Sequence, residues 1–146
     1  MQSTPPSRLS SPASFSKHGE YAIELNGCVI KAELKGIATQ KMLQQYHDDV
    51  LMLTGNLDGA QWGFIGSIFG TGVLTPEAEE WLVVSIKRRM KLGMLASVVI
   101  ADRAKVPALV VRQFERVFQQ AGIKYLFCSS EQEGLDWLSS LGCKAN

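Results

Sequence analysis

Leu74 to Ala101 reads LTPEAEEWLVVSIKRRMKLGMLASVVIA, and the order of its residues decides the fold class. Thr75 is a natural N-cap, because its hydroxyl can accept from an otherwise unpaired amide of the first turn. Pro76 suits the first helical position, where its missing N–H costs nothing. Glu77, Glu79 and Glu80 fall at the start of the helix, and Lys87, Arg88, Arg89 and Lys91 at its end, the arrangement the helix dipole favours. Gly93 stops the helix. Met94 to Ala101 is then an unbroken apolar run rich in β-branched residues, which reads as a central strand buried on both faces. A helix followed at once by such a strand is half of a parallel crossover unit.

Working outward, the same alternation continues in both directions. Downstream, Pro107 opens a helix to Ala121 whose buried face carries Val110, Val111, Phe114, Val117, Phe118 and Ala121, and Gly122 closes it. Ile123 to Cys128 is a strand. Ser130 and Glu133 form a capping box for a last helix bearing Leu135, Leu138 and Leu141, ended by Gly142. Upstream, Gln61 to Ile68 reads as a buried strand, and Ala38 to Leu53 has apolar residues at helical spacing until Gly55 and Asn56. Tyr21–Leu25 and Cys28–Lys35 alternate with period two around Asn26-Gly27, which predicts a hairpin with a two-residue turn and positive φ at both of those residues. The predicted order is ββαβαβαβα: an α/β domain with a four- to five-stranded mixed sheet after an N-terminal hairpin, and helices packed on the sheet.

Residues 1–18 are Ser/Pro-rich and lack any acidic side chain, so they are expected to be a flexible tail preceding one domain over 19–146. The chain has 146 residues, 46% of them hydrophobic, enough for one domain with a real core. Fifteen Lys and Arg against fourteen Asp and Glu leave a net charge of +1, which gives no field for gathering nucleic acid. No apolar run is long enough to span a membrane. Cys28, Cys128 and Cys143 match no metal spacing, and their odd number predicts reduced thiols in a cytoplasmic setting. Cys28 and Cys128 read as small core residues on strands, and Cys143 as exposed.

The chemistry-bearing candidates are few. His47, beside Asp48 and Asp49, reads as part of a solvated helix face. Neighbouring helical positions diverge, so the pair is not preorganised as a general base. The Lys87–Lys91 run is explained by the dipole. No catalytic residue, metal or cofactor is expected. The unusual stretch is Trp62 to Leu74, WGFIGSIFGTGVL, with four glycines and three aromatics at the carboxyl end of a strand, where open α/β sheets place their sites. It lacks the spacing of a phosphate-binding loop. Its simplest reading is a strand and a loop folded on the core. The sharper one is a recognition surface formed by Trp62, Phe64, Ser67, Phe69, Thr71 and Thr75.

Four segments, EYAIELNGCVIKAELKG, LTPEAEEW, MLASVVIAD and YLFCSSEQEGLDWLSSLG, together resemble the SpoIIAA-like proteins of the STAS superfamily across residues 20–142. The resemblance implies a bacterial, non-enzymatic regulatory module that binds another protein or itself, with a homodimer as one form. In anti-sigma factor antagonists of this fold, a serine at the start of the second helix is phosphorylated. The matching junction here, Gly72-Val73-Leu74-Thr75-Pro76, has Thr75 as its only hydroxyl. The fold's likeness to lipid-carrying domains implies the alternative of a carrier or sensor for a small apolar ligand.

Overall fold

Three of the four helices begin at a side-chain cap, and the third along the chain begins at a proline instead. Thr39 accepts from the Met42 amide (3.3 Å) and opens α1, Gln40–Thr54. Thr75 accepts from Ala78 (3.2 Å) and opens α2, Pro76–Lys91. Pro107 opens α3, Pro107–Ala121, which ends on left-handed Gly122. Ser130 accepts from Glu133 (3.2 Å) and opens α4, Glu131–Ser140. The computed structural model that shows this describes residues 14–15, 19–57 and 59–146.

Between the helices lie the strands β1 (Ser14–Phe15), β2 (Gly19–Asn26), β3 (Val29–Gly36), β4 (Trp62–Phe69), β5 (Met94–Ile100) and β6 (Lys124–Cys128). Five principal strands, β2 to β6, form one mixed sheet, and the two-residue β1 adds to the outer edge of β2. Of the expected tail, only Ser14–Phe15 belongs to the described residues; residues 1–13 and 16–18 lie outside them. The strands follow one another in chain order across the sheet. β2 and β3 pair antiparallel, and every later neighbour pairs parallel.

That one-way order decides where the helices go. Parallel crossovers of one hand, each stepping to the next strand, stack their helices on the same face. So α1, α2 and α3 lie side by side over one face and enclose the main core, from Tyr21, Ile23 and Ile30 through Trp62 and Val99 to Phe118. Helix α4 has no strand after it and covers the opposite face of β4, β5 and β6, over a second cluster with Val29, Ile65, Val98, Cys128 and Leu138. It lies very close. A Cβ on Gly63 would stand 2.7 Å from Leu138, and one on Gly134 would stand 2.7 Å from Ile65. Among the described residues, no helix is long and apolar enough to cross a membrane.

Three expectations are corrected. The hairpin turn sits one residue later than Asn26-Gly27: Asn26 pairs with Val29, so the turn residues are Gly27 and Cys28. The reason is the chain's C-terminus, which crosses the turn. Cys28 N–H donates to Lys144 O (2.8 Å), and the Asn26 side chain accepts from Asn146 N–H (3.0 Å). Gly27 takes the left-handed geometry, with φ +62°. The same C-terminal segment buries Cys143 completely, so it is not exposed; its thiol and that of Cys128 are pushed up by desolvation. Cys28 lies in the turn and is only half-buried. Third, His47 is not on a solvated face. It is 2% exposed, in the seam between α1 and α2, because α1 packs on both the sheet and α2.

Candidate functional site

The apolar stripe of α2 runs Ala78, Leu82, Ser85, Ile86 and then Arg89, successive inward positions of one helix face. The last of these carries a guanidinium into the core, and Arg89 is only 2% exposed. Its Cζ lies 5.4 Å from the ring centre of Tyr46 on α1 and 5.9 Å from that of Phe64 on β4. The rings of Tyr46 and Phe64 meet edge to face at 6.1 Å, and Tyr21 packs edge-on against Tyr46 at 5.6 Å. Burial raises the Tyr46 pKa against the opposing pull of Arg89, so the phenol stays neutral. Arg89 Nε has no hydrogen-bond partner.

These groups line a cavity of about 50 Å³ between the sheet and the three helices. Phe114 and Phe118 from α3 and Ser97 from β5 complete the wall around Tyr46, Phe64 and Arg89. Gly66 of β4 leaves the space open: a Cβ there would come within 3.0 Å of the Phe64 ring. The lining is almost wholly apolar apart from Arg89, Ser97, the Tyr46 hydroxyl and the β-strand residues Glu33 and Ser67.

A second polar pair lies behind Arg89. His47 Nδ1 is 2.6 Å from Ser85 Oγ, and Trp81 meets the imidazole edge-on at 5.3 Å. Desolvation, then the charges of Arg89 and Arg88, hold the His47 pKa below its usual value, with Asp48 opposing. The imidazole is therefore neutral near pH 7, and its Nε2 has no partner.

The six residues expected to form a recognition surface are not brought together. Trp62 is fully buried at the start of β4 and donates its indole N–H to Leu92 O (3.3 Å), so it is core. Phe64 lines the cavity. Ser67 follows the strand's alternation to the opposite face, in a polar cleft with Glu24, Lys31 and Glu131, where Lys31 pairs with Glu131 at 3.1 Å. Phe69, Thr71 and Thr75 lie at the carboxyl end of the sheet. The Phe69 ring is capped by the Arg103 guanidinium at 5.8 Å, Thr71 Oγ1 is buried without a partner, and Thr75 is the cap of α2.

The glycine-rich stretch is tied into the fold. Gly70 O accepts from Lys105 N–H (2.7 Å), and Val73 O accepts from Ala38 N–H (2.8 Å). The buried Gln113 side chain donates to Gly72 O (3.0 Å) and accepts from Leu74 N–H (3.1 Å). Among the described residues, no group of three or more His, Cys, Asp or Glu is placed to hold a metal ion.

Arg89 is the residue that sequence reasoning missed. It was legible as the next inward position after Leu82 and Ile86, but it sits in a basic run that the helix dipole already explained. No protein-family model, curated protein or solved structure matches this chain. The fold and the cavity together define an α/β domain with a largely apolar pocket between sheet and helices and one buried cation in its wall.

Proposed function

We propose that this chain is a STAS-like, non-enzymatic regulatory binding domain, and that it carries or senses a small, mostly apolar ligand held between the sheet and α1–α3. The observation that supports this reading most is the cavity itself. Protein interiors are packed with few voids larger than a water molecule, and this one is lined by aromatic rings in the centre of the core. Phe64, one of the residues singled out from the sequence, is in its wall.

Methyl NMR of the full chain tests the reading. Adding a small organic probe, 1-propanol or propionate, should shift the Leu82, Ile86 and Val99 methyls, and the Ser97→Leu variant, whose side chain fills the space, should not respond. Shifts confined to exposed methyls such as Val84 and Leu92 would contradict it.

One observation favours a protein partner instead. Val106 (53%) and Leu109 (37%) are exposed near the start of α3, beside the strand ends that carry Phe69 and Thr71. A partner-binding domain would lose association on Phe69→Ser while keeping its fold.

A further inference from the structure

Resting on the cavity reading, we propose that the ligand is a small organic monoanion, a short-chain carboxylate, held by its carboxylate on the Arg89 guanidinium with its hydrocarbon against Phe64, Phe114 and Phe118. The case begins with an uncompensated charge. Burying an ion costs several kcal/mol unless it is paired and hydrogen-bonded. Among the described residues Arg89 takes part in neither the Lys31–Glu131 nor the Arg116–Glu79 ion pair, and it meets two ring faces instead. A desolvated cation–π contact returns about 2 kcal/mol or more, but neither ring carries the negative charge that would neutralise the guanidinium. Glu33 borders the cavity because β3 forms part of its wall, but its side chain alternates with those of Ala32 and Leu34 and belongs to the opposite face.

The guanidinium is thus a charged fork in an apolar chamber with its Nε still unsatisfied. A planar carboxylate matches such a fork with two parallel hydrogen bonds, which a halide or an alcohol does not. Size sets the other limit. A cavity of about 50 Å³ has room for only a small ligand beside the guanidinium. That suits a short-chain carboxylate better than a long acyl chain.

The test is a titration of the full-length protein at constant ionic strength with sodium propionate, 1-propanol and sodium chloride, followed by calorimetry and by the cavity methyls. Propionate should bind at least about ten-fold more tightly than 1-propanol, the difference a charge-assisted hydrogen-bond pair produces. Chloride should leave the methyls unmoved. Arg89→Met should erase the preference for propionate, and Arg89→Lys should keep part of it. If 1-propanol binds as tightly as propionate, or if Arg89→Met retains the preference, the assignment of the anion to Arg89 is overturned while the cavity reading survives. Equal response to chloride overturns the organic ligand. If neither organic probe reaches the cavity methyls, both readings fall.

Discussion

Two side chains show how little a residue's polarity says about its position. Arg89 and His47 are each 2% exposed, although Arg89 lies in a run of basic residues and His47 beside two aspartates. In both, helical phase overrides composition. Arg89 continues the Leu82–Ile86 stripe, and His47 adjoins the Leu43, Tyr46 and Val50 positions. Burial gives His47 a measurable signature. Its pKa is lower in the folded chain than the ordinary 6.5. Just below pH 6.5 the unfolded chain therefore binds a proton that the folded one refuses. Stability is fully present above that pH and is lost as pH falls through it, by at most about 1.4 kcal/mol per pH unit. His47→Gln keeps a hydrogen-bonding partner for Ser85 and removes the titration. Urea unfolding at pH 7.5 and pH 5.5 should show a smaller acid-induced loss for His47→Gln than for the wild type. An equal loss in both would mean that His47 is not the buried neutral base described above.

At the scale of the element, the sequence was most readable where local chemistry decides. Thr75-Pro76, Pro107 with Gly122, and Ser130 with Glu133 are boundary signals that depend only on near neighbours; all three helices begin there, and α3 ends at Gly122. It was least readable where a distant segment intervenes. The hairpin turn moved by one residue, and Cys143 went inside, because residues 143–146 pack over the turn at the opposite end of the chain. The recognition surface dispersed for a similar reason. Trp62, Phe64 and Ser67 share a strand but end up in the core, in the cavity wall and on the opposite face. Helix α4 offers a test of packing against propensity. Replacing an interior helical glycine with alanine ordinarily gains up to about 1 kcal/mol. At Gly134 the new Cβ would press within 2.7–2.8 Å of Ile65 and Val98. Gly134→Ala should therefore destabilise the protein by about 1 kcal/mol in urea unfolding, since overpacking a tight contact costs more than the propensity returns. A gain in stability would show that α4 sits less tightly on the sheet than these distances require.

For the molecule as a whole, the one-way strand order puts three helices on one face and a single helix on the other. It thereby creates a thick layer on one side in which a cavity persists. A core of this kind normally collapses onto such a space or fills it with a side chain. Here the space is kept, and a cation is kept beside it at a cost in stability. Proteins retain such costs where a site needs them. One property of Arg89 needs no ligand to check: its charge serves binding and does not hold the fold together. Burying an unpaired ion costs several kcal/mol, so an apolar side chain of similar length in its place should be neutral or stabilising. The decisive measurement is the thermal unfolding of ligand-free Arg89→Met against the wild type. The account predicts a melting temperature equal to or several degrees above that of the wild type. A clear fall would contradict it, because it would make the guanidinium a structural strut between α2, Tyr46 and Phe64 and leave the cavity without its binding group.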